Sequence, residues 1–475
     1  MRIRVLFTGT LTLLFALVFF FYSCTGEHDP DPVLVFTQAP VGNGTMLSGA
    51  ETLPLDIEES RIVSINYEEP ERGVKKLTGD FYSAASPSLS FDSEKIVFSA
   101  KEAESDPRQI WTMNLDGSGK SMIYSGERSC YTPSFLPTGE IVFSCEVNDP
   151  VTGTTHPLFK VQPDGSGIEQ ITYHPHRDLY TSMLADGRII MISRQVYPEE
   201  NDPTVMVLRP DGTKAQAFYH NGSDFRPKST IREREDEKLI FVQSDGDEDQ
   251  LVAMSYANPL LPKERIVSRD AGRMQSADII YSGRFLLSAR NSSESPFALF
   301  MIDEDGNEEL LFEDPDYHSV QPVAARKRVI PKKLPTSISP EEGSGIIISQ
   351  NVNHSQIDLD GDPQTKYVRV EGIDHSLSEF EVADDGSFYL RVESDMPVRF
   401  ISLDEEKEVL RGPSPWVWLR TNERRACVGC HASKVMAPVN VVPKAIEKDP
   451  VIITDTSRAI TAREVQALKE MVNQM

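Results

Sequence analysis

A spacing of about 47 residues recurs through the first two thirds of this chain, and it restricts the possible folds more than any other feature. Strand-like patches end in Asp-Gly turns at Asp116-Gly117, Asp164-Gly165, Asp211-Gly212 and Asp305-Gly306. From Asp116 to Asp164 is 48 residues, from Asp164 to Asp211 is 47, and from Asp211 to Asp305 is 94, twice the period. One degenerate unit therefore centres near Asn258, and a first unit near Glu68 follows Arg61 to Tyr67. Each unit also carries an earlier strand opened by a proline or a tight turn, as in Pro87 to Phe91 leading into Ile96 to Ser99 and Pro133 to Leu136 leading into Ile141 to Ser144. Several short strands per period joined by Asp-Gly hairpins predict four-stranded blades. Six such units make a mainly β protein, with a six-bladed β-propeller over residues 33–325.

The phrases VQPDGSG (162–168) and PSFLPTGEIVFS (133–144) look like TolB-type propeller repeats. That resemblance implies a fold and leaves activity open. Loops at the channel mouth, such as Ser129 to Thr132, His174 to Tyr180 and Ser223 to Arg226, are places to present a ligand or partner; as connectors they are expected to be solvated.

Charge and the amino terminus set the compartment. A formal net charge of −25 over 475 residues repels phosphate backbones and argues against nucleic-acid binding. Arg2 and Arg4 precede an apolar run from Val5 to Tyr22 that stops at Ser23-Cys24. This reads as a secretion signal over residues 1–24. A small residue before a cysteine at the end of such a run resembles a bacterial lipoprotein cleavage site, which makes Cys24 the lipidated residue and 25–32 a short linker. An uncleaved anchor helix is the alternative. Either way the chain is expected at the cell envelope, on the periplasmic or extracellular face, held to the membrane.

Prolines 322, 331, 335 and 340 mark a linker over 326–345, where the period ends. A small β-sandwich-like module is expected over 346–445, with strands at Ile346 to Ile348, Tyr367 to Val370, Phe388 to Val392, Val398 to Ile401 and Trp416 to Leu419. Asp358, Asp360 and Asp362 suggest a calcium loop, but Pro363 and the lack of a closing Glu make it a plain acidic turn. The tail, 446–475, carries a capping box at Thr461 to Glu464 that predicts a short C-terminal helix.

The chemical signal is Cys427-Val428-Gly429-Cys430-His431, the C-x-x-C-H pattern of c-type haem attachment. Two thiols three positions apart can form thioethers to both vinyl groups, while the adjacent imidazole of His431 meets the iron. A Cys427–Cys430 disulfide, or a zinc site sharing His431, are the competing readings. A four-ligand zinc site lacks a second cysteine pair, because Cys130 and Cys145 lie inside the propeller; Cys130 could join a metal site at the channel mouth, but is expected to be a buried or idle thiol. For the sixth ligand, Met436 is a weak candidate because five residues make too short a loop, and His354, His375 and His318 are further ones.

The stretch from Asp385-Gly386-Ser387-Phe388, through Pro397 to Phe400 and Trp416 to Trp418, to Glu423 through His431 resembles the middle region of hydrazine synthase alpha-subunit-like proteins. The resemblance implies a propeller followed by a haem-bearing module, one covalent haem c, and a redox partner protein or envelope complex. In that family a tyrosine four residues past the motif is expected to ligate the iron while the motif histidine serves a zinc; here that place is Val435. Larger relatives also carry a second haem motif, and this sequence has one C-x-x-C-H. The resulting expectation is a monohaem protein of electron transfer or small-molecule redox chemistry. The alternative is a non-catalytic propeller scaffold for an envelope partner.

Overall fold

The computed structural model describes residues 32–42, 57–219, 226–257, 263–281, 283–339, 342–355, 363–429 and 440–455. Among them, six sheets of four or five strands follow one another between Val33 and Ala324, with a two-stranded hairpin, Val147–Asp149 and Gly153–Thr155, beside the third; five have their first strand innermost and the closing sheet has Tyr317–Ala324 there. The second sheet is typical: Ser83–Leu89, Lys95–Lys101, Gln109–Asn114 and Ser121–Tyr124 pair in order. Middle strands such as Lys95–Lys101 and Ile141–Cys145 are buried along nearly their whole length because sheets cover both faces. The ring is closed by the last propeller strand, Tyr317–Ala324, which pairs antiparallel with Val33–Pro40 from Leu34↔Ala324 to Pro40↔Tyr317. Ring closure thus leaves no open sheet edge between the ends.

The innermost strands carry β-bulges, where Ser86, Thr132, Tyr180 and Gln321 take left-handed φ of 58°, 47°, 56° and 53°. Non-glycine residues hold such angles only where surrounding contacts over-determine them. Here they turn polar groups into a narrow axial cavity of about 50 Å³, where Gln321 Nε2 donates to Ser86 Oγ at 3.2 Å.

Two of the channel-mouth segments expected to be solvated connectors are strands instead. Cys130–Phe135 and His176–Met183 are the inner strands of the third and fourth sheets and are largely buried. Most of the third, Ser223 to Arg226, lies outside the described residues. Cys130 is not an idle thiol either: it opposes Cys145 across the first two strands of its sheet and is disulfide-bonded to it. Closing that 15-residue separation stabilises the fold by about 3 kcal/mol in the chain-entropy account.

Beyond the propeller, two four-stranded sheets face each other. One has the order Arg424–Cys427, Ser344–Ser349, Phe388–Glu393, Val451–Ile453; the other has Ser376–Glu381, Tyr367–Glu371, Arg399–Leu403, Val409–Arg411. Ile347, Val368, Val370, Leu390, Val392 and Val398 fill the space between them, as the alternating patterns of these strands require. Val451–Ile453 lies past residue 445, so the first sheet continues into the tail. Trp416 to Leu419 is not a strand; it makes one isolated bridge, Val398↔Val417, and its indoles turn toward the propeller. No helix among the described residues is long and apolar enough to cross a membrane. The Val5 to Tyr22 run, Cys24, the acidic turn at Asp358 to Asp362 and the Thr461 helix lie outside those residues.

Candidate functional site

Cys427 ends the edge strand Arg424–Cys427, which runs parallel to Ser344–Ser349 with Ser349 opposite Cys427. Gln350 N donates to Cys427 O at 2.9 Å and extends that pairing past the strand. The haem motif therefore starts inside the sheet rather than after it. Beside Cys427 lies a cavity of about 300 Å³, lined by Ile347, Val352, Val368, Phe388, Phe400 and Val417, with Arg425 as the one charged side chain among the described lining residues. That volume is at the lower end for small-molecule and cofactor sites. Burial pushes the Cys427 thiol up, against the smaller opposing effect of the Arg425 charge, so it stays protonated at neutral pH.

Gly429 explains itself by contact. A Cβ there would stand 2.1 Å from the carbonyl oxygen of His354 and 2.8 Å from its Cβ, so the motif can pass only as glycine. Of the three histidines considered as further ligands, His354 thus packs against the motif. His318 Nδ1 accepts from Phe297 N at 3.0 Å, and His375 is held by Asp374 at 2.5 Å and Asp455 at 3.5 Å. Cys430, His431, Val435 and Met436, and with them the Cys427–Cys430 disulfide and the His431 zinc alternatives, lie outside the described residues.

The Cys427 strand is anchored to the fourth propeller sheet. Glu423, fully buried, accepts from Lys214 N at 2.9 Å, Arg420 N at 3.0 Å and Arg425 Nη2 at 2.9 Å. Arg420 spans the seam: Nη1 donates to Asp211 O at 2.9 Å, Nη2 to Glu169 Oε1 at 2.6 Å, and Nε stands 2.8 Å from Asp395 Oδ1. Gly212, at φ +80°, follows this contact, and a Cβ on it would meet Ile171 O at 2.3 Å and Arg420 Nη1 at 2.8 Å. One of the repeat's Asp-Gly turns has thus become a docking surface, its Asp211 side chain also accepting from Thr336 Oγ1 of the linker at 2.9 Å. Trp418 inserts among Leu136, Val142, Leu158, Met191 and Leu208 of the third and fourth sheets.

Under Trp418 lies a polar cluster. His176 and Asp178 share one face at the start of the fourth sheet's inner strand, His176–Met183, and His174, in the bend just before it, where His176 N donates to His174 O at 2.8 Å, brings its ring against them. The imidazoles of His174 and His176 stack at 3.7 Å, and Trp418 meets His174 edge-on at 4.5 Å. Nearby His156, whose backbone N–H donates to His176 O at 2.9 Å, is pushed down to about 4, mainly by burial and then by the Arg177 charge. Between pH 6.5 and about 4 the unfolded chain binds a proton that the folded chain refuses, so stability falls as pH falls through that window. At 1.36 kcal/mol per pH unit the loss approaches about 3 kcal/mol. The difference in urea midpoint between pH 7.5 and 4.5 is expected to shrink in His156→Gln; an unchanged difference would refute this assignment.

Residues 348–432 match the family model for the hydrazine synthase alpha subunit middle domain. The chain is 23% identical to hydrazine synthase subunit alpha of Kuenenia stuttgartiensis, over 72% of this chain and 51% of that protein. It spans about half the length of this curated relative. Its fold is similar to the solved Kuenenia stuttgartiensis hydrazine synthase, with a TM-score of 0.76 at 20% identity over 88% of this chain and 72% of that one. TolB from Acinetobacter baumannii gives a TM-score of 0.45 at 14% identity, covering 62% and 66% of the two chains.

Proposed function

We propose that this relative of the hydrazine synthase alpha subunit is an exported monohaem c-type protein that serves electron transfer or small-molecule redox chemistry at the cell envelope. The observation that carries the reading is the apolar cavity beside Cys427, within the segment that matches the middle-domain family. An apolar space beside a thiol gives a macrocycle somewhere to sit, whereas a disulfide needs no cavity. Cys427 and Cys430 would hold the group through thioethers. His431 would supply an imidazole to the iron. Bound there, the haem provides one-electron chemistry at iron. The chain's own part is to exclude water through the six apolar side chains. His354, packed on Gly429, is the described histidine closest in contact to the motif. The Cys130–Cys145 disulfide supports an oxidising compartment, which the signal segment and a lipidated Cys24 would provide. Similarity to a protein named as a subunit supports a protein partner.

Expression with a c-type haem maturation system is the test. A covalent porphyrin mass on the peptide spanning Arg425 to His431, with a matching pyridine haemochrome spectrum, is the expected result. A fully processed, colourless protein would overturn the reading.

A further inference from the structure

The propeller axis carries more hydrogen-bond donors than acceptors. Tyr180 of the fourth sheet lines the axial cavity; it is 9% exposed, and its hydroxyl has no hydrogen-bond partner among the described residues. Gln275 of the sixth sheet is 2% exposed. Its Oε1 accepts from Gln321 N at 3.1 Å and from Ser276 Oγ, while both hydrogens on its Nε2 are unspent. Gln321 Oε1 accepts from Thr37 Oγ1 at 2.9 Å and from Ser86 N at 2.8 Å, and Nε2 gives only one of its two hydrogens, to Ser86 Oγ. Arg232 of the fifth sheet lines the same cavity, and its Nε stands 3.2 Å from Asp278 Oδ1 without the angle of a hydrogen bond. Asp278 Oδ2 is taken by Ala324 N at 2.9 Å. Buried donors left bare are uncommon in folded proteins, and a ring of them around one cavity calls for an acceptor. The charge has the matching sign. The linker runs over the ends of the inner strands from the second sheet to the fourth, where Arg328 N donates to Phe91 O at 2.8 Å and Lys332 N to Ala185 O at 3.3 Å. Arg328 is pushed down to about 10, first by burial and then by the Arg232 charge, with Asp278 opposing. Two guanidiniums thus share one carboxylate, in a chain whose net charge is −25.

We infer that the propeller axis binds a small monovalent carboxylate anion, held by Arg232, Tyr180, Gln275 and Gln321. At about 10–15 Å³ for each water-sized group, the cavity of about 50 Å³ takes three or four heavy atoms, the size of formate or acetate. Tyr180 and Gln321 stand on sheets three places apart in a ring of six, so acceptors are wanted on two sides of the ligand. A carboxylate offers them and a halide does not. Water would meet the donors but leave the excess positive charge unanswered, whereas hydrogen bonds to an ionised acceptor are about twice as strong as neutral ones. The axis involves neither the haem motif nor its cavity, so the inference is independent of the haem reading.

The test is equilibrium dialysis of radiolabelled formate against the full-length protein at fixed ionic strength. Saturable binding of one formate per chain is expected, displaced by acetate and far less by chloride at equal concentration. Cys427→Ala/Cys430→Ala should bind formate as the wild type does, because no haem iron is needed. Arg232→Gln should abolish binding. If that variant does not fold, Tyr180→Phe decides: it should weaken formate about tenfold, yet leave the urea midpoint of the formate-free protein unchanged or raised, since the hydroxyl it deletes has no partner there. A tyrosine with a merely structural role would lower that midpoint and leave the affinity alone. No saturable formate, chloride competing as well as acetate, formate lost with the motif variant, or unchanged affinity in Tyr180→Phe would each overturn the inference.

Discussion

Cys427→Ala combined with Cys430→Ala is expected to abolish the covalent pigment while leaving the propeller folded. Cys427 sits at the end of an edge strand whose pairing uses backbone groups, so removing its thiol leaves the Ile346↔Arg424 to Ser349↔Cys427 register intact. The loss should therefore be complete in the spectrum and small in the unfolding curve. Each single variant should keep a haem attached by one thioether. Alkylation of Cys427 in haem-free protein gives a second measure: burial raises its pKa, so its reaction at pH 7 should be slower than that of an exposed thiol and should accelerate through and beyond pH 9. Full pigment in the double variant would remove the motif from the mechanism.

Arg420→Ala is expected to cost about 3 kcal/mol of stability, near the lower end for breaking a buried ion pair. Arg420 is nearly fully buried and touches Glu169 and the Asp211 carbonyl on the propeller side and Asp395 on the module side. Its removal leaves two carboxylates facing each other across the seam, about one third exposed on each side chain, without their shared cation. Water reaching them limits the loss. Arg420→Lys should restore less than half, because a single ammonium cannot reach carbonyl and both carboxylates as the guanidinium fork does. Urea unfolding followed by tryptophan fluorescence reads this directly, since Trp416 and Trp418 flank the same seam. A midpoint equal to that of the wild type would show that the module is not held to the propeller by this contact.

Much of the architecture was legible because it is local and periodic. Asp-Gly turns at a 47-residue spacing report hairpins whatever they pack against, and alternation in Tyr367 to Val370 or Phe388 to Val392 reports a half-buried strand. The Trp416 to Leu419 segment misled for the same reason: aromatic and β-branched residues look like a strand, whereas two indoles there are anchors against another domain. His174, Asp178 and Trp418 were beyond reach as a group. His176 and Asp178 alternate on a strand, but His174 joins them through a bend, and the cover arrives from more than two hundred residues away.

The chain alone determined that it would build blades in series, close with a module, and carry two thiols and an imidazole at c-type haem spacing, since each of these depends on neighbours a few residues apart. Tertiary structure decided which Asp-Gly turn becomes a dock, which cysteines pair, and where an apolar space opens beside Cys427. Those outcomes depend on which surfaces meet once the ring has closed, and contact between distant segments leaves no periodic trace in the sequence.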